Sequence, residues 1–143
     1  MTRLIRELVE DTELMAAFPV MRELRTHLDE RTYRDRLVEM RRDGYRLFAL
    51  LERDAVVAVA GVRLGTNFYY GRYLWVFDLV TTSAARSRGH GKALLTALED
   101  LARAEDCDTI ALSSALERVD AHRFYEAHMG YERASYSFKK ALR

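Results

Sequence analysis

The folds open to this chain are limited most by one junction. A strand-like run, Tyr73 to Thr81, leads through a basic turn, Arg86-Ser87-Arg88-Gly89-His90-Gly91-Lys92, into a helix whose apolar stripe is Leu94, Leu98, Leu101 and Ala102. An apolar strand followed by an amphipathic helix requires a sheet with a helix packed across it. Two glycines in the turn let the backbone approach a ligand in conformations closed to other residues. The unpaired N–H groups and positive dipole end of the helix then attract an anion. With Arg86, Arg88 and Lys92 adding charge at the same place, the turn reads as a pocket for a pyrophosphate.

Two well-known phosphate loops do not fit these residues. A dinucleotide-binding fingerprint needs glycine where Leu94 stands, and a nucleotide-triphosphate loop needs glycine at Arg86 and a hydroxyl at Ala93. What remains is Arg86-x-x-Gly89-x-Gly91 between strand and helix.

The rest of the chain sets the frame for that turn. At 143 residues, 49% hydrophobic, 31% charged and with one proline, it has the size of one globular domain, residues 1–143, with a real core. No apolar run is long enough to cross a bilayer and Met1 to Glu7 lacks a signal-peptide core, so a cytoplasmic location is expected, with no membrane partner. A formal charge of +1 supplies no global field toward nucleic acid. The arginines between Arg22 and Arg46 alternate with Glu23, Asp29, Glu30, Asp35, Glu39 and Asp43, which suits solvated helix faces better than a nucleic-acid stripe. The single cysteine, Cys107, makes no intrachain disulfide, and without Cys or His neighbours at ligand spacing no metal site is expected.

Along the chain, Leu4 to Val9 suggest a short strand. Leu14, Phe18, Met21, Leu24 and Leu28 then recur at helical spacing after a cap at Asp11 or Thr12, with Pro19 predicting a kink or break. Asp29 can cap a further helix through Tyr33, Leu37 and Met40, closed at Gly44. Tyr45 to Leu51 and Ala55 to Leu64 read as an antiparallel hairpin, followed by a loop from Gly65 to Arg72. After the turn and its helix come a buried strand from Thr109 to Ser113 and a helix from Asp120 to His128 ending at Gly130. Ala134, Tyr136 and Phe138 then alternate with polar residues as in a half-buried strand. The sum is an α/β (α+β) domain with a mixed, mainly antiparallel sheet flanked by helices.

The Arg-x-x-Gly-x-Gly turn after the fourth strand, and the order of elements over nearly the full length, resemble the GCN5-related N-acetyltransferase superfamily. Ala121-His122-Arg123-Phe124-Tyr125 and the closing Gly130-Tyr131 are similar to a second stretch of that family. The resemblance implies acetyl-CoA in a splay between neighbouring strands, its pantetheine amides bonded by the backbone of Leu79, Val80 and Thr81. Its pyrophosphate would lie on Arg86, Ser87, Arg88, Gly89, His90, Gly91 and Lys92. It also implies Tyr125 as the acid that protonates the departing thiolate, and a base to deprotonate the amine. Asp78, a carboxylate in an apolar strand on the opposite face from Phe77 and Leu79, is the candidate base. The other reading of Asp78 is a structural carboxylate bonded to a helix terminus or an arginine. His90 reads as packing or anion-adjacent. Many relatives carry an asparagine seven residues before the tyrosine; this chain has Arg118 there, so that cofactor contact does not carry over.

The expected activity is therefore acetyl transfer from acetyl-CoA to a primary amine of a small molecule or protein, with no metal. The alternative is a non-catalytic module with the same fold that binds or senses acyl-CoA. Strand edges of such a sheet are also compatible with a homodimer.

Overall fold

The computed structural model describes residues 3–143, which divide into two compact units meeting in sequence at Ala111 and Leu112. The first unit is built on a mixed sheet whose five strands follow in chain order, β1 (Arg3–Leu8), β2 (Arg46–Glu52), β3 (Ala55–Asn67), β4 (Gly71–Thr81) and β5 (Thr109–Leu112). The first four are joined antiparallel. Between β1 and β2 lie α1 (Asp11–Ala16), α2 (Phe18–Leu24) and α3 (Glu30–Arg42), and α4 (His90–Ala104) connects β4 to β5.

The break expected at Pro19 falls between α1 and α2, with the proline in the first turn of the second helix, where its missing N–H costs nothing. The cap of α1 is Glu10 rather than Asp11 or Thr12, the Glu13 carboxylate accepting from the Glu10 N–H at 3.3 Å. Asp29 caps α3, its Oδ1 accepting from the Thr32 N–H at 2.7 Å. On one sheet face Leu14, Met21, Tyr33 and Leu37 of these helices pack on Leu47, Ala49, Leu51, Val59 and Val80. The alternate residues of β3, Ala58, Ala60 and Val62, are fully buried as well, together with Leu94, Leu95 and Leu98 of α4. A strand buried on both faces loses its polar alternation, which is why β3 reads Ala-Val-Val-Ala-Val-Ala-Gly-Val.

The loop expected from Gly65 to Arg72 is largely strand. Thr66 pairs with Arg72 and Asn67 with Gly71, leaving residues 68–70 as the turn. Asn67 closes it by accepting from the Tyr70 N–H at 2.6 Å, and Gly71 takes the left-handed φ of 75° that reverses the chain. A second departure decides where side chains point. Val76 pairs with Val62 but Asp78 with Gly61, so Phe77 is the extra residue of a bulge. Strict alternation would put Phe77 and Asp78 on opposite faces; with the bulge, both meet Tyr45.

The second unit contains α5 (Val119–Arg123), which widens into a π turn over residues 124–128, the Met129 N–H bonding the Phe124 carbonyl at 3.1 Å. Gly130 follows at φ 74°, and the Tyr131 N–H returns to the Tyr125 carbonyl at 2.8 Å. The strand expected around Ala134, Tyr136 and Phe138 does not form. Residues 129–143 carry no regular element, and Tyr136 and Phe138 are exposed. Alternation marks a face for burial, but a strand exists only where a neighbouring strand takes its N–H and C=O groups.

Candidate functional site

β4 ends at Thr81, and the Thr82 N–H still bonds the Val57 carbonyl at 2.8 Å before the chain leaves β3. One 3-10 turn, Ser83–Ala85, then leads into the glycine turn. Its entry is tied down by a residue that sequence reasoning missed. Glu23 of α2 accepts from the Thr82 hydroxyl and, at 2.8 Å, from the Ser83 N–H. The Thr82 bond is the largest reason the Glu23 carboxyl lies below its usual range, outweighing the opposing effect of burial. Glu23 lies 60 positions before Ser83, so no local pattern could reveal the tie.

Within the turn, Ser87 has φ 65° and Gly89 φ 77°, both left-handed. For serine that region is sparsely populated, and such residues collect at ligand sites. Gly89 is the N-cap of α4 and supplies no side chain to its first N–H groups, and the first turn holds no acid. Those groups therefore stay available to an anion. Arg86, Ser87, Arg88, Gly89 and Lys92 are exposed; Gly91 is half-buried. Arg86 Nε donates to the Thr81 carbonyl at 3.2 Å, and Arg88 Nη1 stands 3.7 Å from Glu52 Oε1. His90 is the exception, buried with 2% of its surface exposed.

The edge of β4 beyond the bulge faces a short neighbour. The Asp108 N–H bonds the Arg72 carbonyl at 2.7 Å and the Thr109 hydroxyl bonds the Tyr70 carbonyl at 3.0 Å, so β5 starts beside the start of β4. Its four residues reach about 13 Å at the usual rise, short of Leu79, Val80 and Thr81 at the far end of the eleven-residue β4. A strand whose neighbour stops short offers backbone groups to an extended ligand.

Asp78, 8% exposed, lies in a fully paired knot. Arg25 Nε donates to Oδ1 at 2.9 Å, the Tyr45 hydroxyl donates to Oδ2 at 2.7 Å, and Arg25 Nη2 also reaches the Phe77 carbonyl at 2.7 Å. Tyr45 crosses β3 to make its bond because Gly61 is there: a Cβ on Gly61 would sit 1.7 Å from the Tyr45 hydroxyl. Burial first, then the Asp78 charge, holds the Tyr45 phenol well above its ordinary pKa, and the same causes in the same order act on Tyr33. Beside the knot is a shallow pocket lined by Met40, Asp43, Tyr45, Arg63 and Phe77. The Arg63 guanidinium lies 5.4 Å over the Phe77 ring, and Tyr73, Trp75 and Phe77 follow one another edge to face along the strand.

In the second unit, Tyr125 is buried, with Phe124 and Tyr131 against its ring. Burial raises its phenol pKa, opposed by the charge of Arg118 and a hydrogen bond from it. Arg118, the residue at the departure from the family pattern, is thus the cation that acts on this phenol. Among the described residues no group of three or more His, Cys, Asp and Glu side chains could hold a metal ion, and no helix is long and apolar enough to cross a membrane. Cys107 is half-buried, and burial is the main cause raising its thiol pKa.

A bulged central strand, a glycine turn at a helix N-terminus and a short parallel neighbour define an acetyltransferase architecture. The chain belongs to the acetyltransferase (GNAT) family, matched over residues 3–131. It is 42% identical over 139 residues, 96% of this chain and 98% of the other, to a Bacillus subtilis protein described as an uncharacterized N-acetyltransferase. To the aminoalkylphosphonate N-acetyltransferase of Salmonella typhimurium it is 29% identical, over 93% of this chain and 86% of that one. The structure of an aminoglycoside N-acetyltransferase in complex with CoA superposes with a TM-score of 0.86, covering 99% of this chain and 95% of the other at 15% identity, and so shares the fold.

Proposed function

We propose that the protein transfers the acetyl group of acetyl-CoA to a primary amine of a small molecule or a protein by direct attack on the thioester. The observation that carries this is the glycine turn: exposed, left-handed at Ser87 and Gly89, ringed by Arg86, Arg88 and Lys92, and capped by no side chain of its own. In this reading backbone N–H groups from Ser87 to Lys92 hold the pyrophosphate. The outer edge of Leu79, Val80 and Thr81 bonds the pantetheine amides as an added strand would.

The amine nitrogen bonds the acetyl carbon, the carbon–sulfur bond breaks through a tetrahedral intermediate, and the thiolate takes a proton from Tyr125. Burial keeps that phenol protonated at neutral pH, and the positive charge of Arg118 favours the phenolate left behind. Of the two readings of Asp78, base or anchor, its partners favour the anchor. Both of its oxygens are already engaged, by Arg25 and Tyr45, and these bonds fix the bulge that leads to Leu79. The amine then loses its proton to water.

For the acceptor, Arg63 at the pocket beside Phe77 suits an amine that also carries an anionic group, and the Salmonella relative makes aminoalkylphosphonates the first acceptors to screen.

The test is thermal unfolding with acetyl-CoA, CoA and adenosine, followed by thiol release with a panel of amines. A saturable rise shared by acetyl-CoA and CoA, lost in Gly91→Val, is expected. No rise at millimolar acetyl-CoA overturns the reading. Binding without thiol release from any amine, and indifference to Tyr125→Phe, supports the binding-module alternative instead.

A further inference from the structure

His90 sits between the two glycines of the turn, yet its ring points inward. Its Nε2 lies 3.7 Å from Glu52 Oε2 at the end of β2, and both atoms are buried without a hydrogen-bond partner. That separation is too long for a hydrogen bond and short enough for a movement of about 1 Å to make one. Two buried polar atoms left orphaned while facing each other are costly, so a state that joins them is favoured by whatever pulls them together. The remaining atoms of the pair are held by arginines. Arg3 Nη1 of β1 is 3.5 Å from His90 Nδ1, and Arg88 Nη1 of the turn is 3.7 Å from Glu52 Oε1. β3 and β4, the other strands under α4, face it with apolar side chains such as Ala58, Val62, Leu74 and Val76. The charged groups around His90 are therefore Arg3, Glu52 and Arg88, together with the positive end of α4 itself.

Without a bound anion this surrounding is cationic, two guanidiniums and a helix N-terminus against one carboxylate. A pyrophosphate on the turn reverses the balance. It brings negative charge to the helix end and competes with Glu52 for Arg88. We propose that Glu52 and His90 are positioning residues of the acyl-CoA turn: binding draws Arg88 from Glu52 to the pyrophosphate, and His90 takes up a proton and closes onto the vacated carboxylate. With Arg3 Nη1 against Nδ1 the neutral ring carries its hydrogen on Nε2; the proton taken from solvent adds to Nδ1, from which the exposed Arg3 turns away, and the imidazolium Nε2–H then bonds Oε2. The inference rests on the acetyl-CoA reading and adds that binding is linked to protonation inside the protein.

Calorimetric titration of the full chain with acetyl-CoA, in two buffers of different ionisation enthalpy, counts the protons taken up. The titration is repeated with dephospho-acetyl-CoA to remove the 3′-phosphate's own titration. Wild type is expected to take up a fraction of a proton at pH 7 and to bind about three- to tenfold tighter at pH 6 than at pH 8. In Glu52→Gln and in His90→Gln the uptake and the pH slope disappear, and KM for acetyl-CoA rises at low pH with kcat kept within about twofold. Wild type binding without proton uptake overturns the proposal, as does an unchanged pH slope in either folded variant. If His90→Gln does not fold, wild type against Glu52→Gln decides. A wild type that gives no saturable heat in any buffer overturns the acetyl-CoA reading itself, a result distinct from binding without uptake.

Discussion

The knot around Asp78 and the turn around His90 are fed by the same strand but are built on opposite terms. In the knot both carboxylate oxygens are bonded, Tyr45 and Gly61 are shaped to each other, and Arg25 also serves the Phe77 carbonyl. In the turn the helix N–H groups have no cap, two arginines stand in the open, and a buried His–Glu pair stops short of bonding. Buried polar groups that are fully paired hold a fold in one state. Groups left short of partners around an exposed concave backbone are what a ligand completes. Both oxygens of the carboxylate most conspicuous in the sequence are tied into the frame, and on the proposed function recognition begins a few residues later.

Substitutions at the two places should separate cleanly. The largest effect is expected from Gly61→Val, which drives a side chain into the Tyr45 hydroxyl and breaks the bond to Asp78. Urea unfolding should show a loss of about 3 kcal/mol, and an unchanged midpoint would mean that Tyr45 has another place to go. Asp78→Ala strands the buried Tyr45 hydroxyl. Because the Arg25 side chain is 42% exposed and can be rehydrated, the expected loss is smaller, about 2 kcal/mol. An Asp78→Asn protein with full stability and acetyl-CoA affinity but no turnover above neutral pH would return the base role to Asp78 and dissolve the comparison. On the other side, Arg88→Ala removes an exposed cation from the turn. Acetyl-CoA should bind about five- to tenfold more weakly with little change in thermal midpoint, since an ion pair made by a half-exposed arginine contributes little to the stability of the free protein.

The legible parts of the molecule were those written in adjacent residues. The helix break at Pro19, the cap at Asp29, the hairpin that reverses between Leu51 and Ala55, and the strand–turn–helix junction all follow from local chemistry; within the hairpin, Glu52 extends the strand and Arg53 and Asp54 make the turn at φ 53° and 65°. The bulge at Phe77 did not, because an extra residue in β4 is set by its pairing with Gly61 and Val62 on β3, and single-strand alternation says nothing of pairing. The partners of Asp78 were hidden for the same reason, lying 53 and 33 positions away. Gly61 carried a signal in retrospect: a glycine in the middle of an apolar strand marks a close approach. The alternation around Tyr136 and Phe138 was misleading because pattern reports suitability for a sheet face, not the presence of a partner.

The smallest effect tests the tie between frame and turn. Glu23 joins α2 to Thr82 and Ser83, where the chain leaves the sheet, and these bonds hold its carboxyl below the usual range. A carboxylate with a depressed folded-state pKa contributes stability that is present above its unfolded value, about 4.3, and is lost as pH falls through the folded value. Asp29, lowered by the Thr32 N–H, follows the same sign. Glu23→Gln should therefore lower the thermal midpoint by about a degree or two at pH 7 and converge on wild type in acid, where the native carboxyl is protonated as well. Its acetyl-CoA affinity should fall by more than that slight change in midpoint implies, because the first ordered residues of the turn are the ones released. If affinity and midpoint move together in Glu23→Gln, the turn is merely an extension of the frame; if affinity moves alone, Glu23 is the point at which a paired scaffold hands over to an unpaired site.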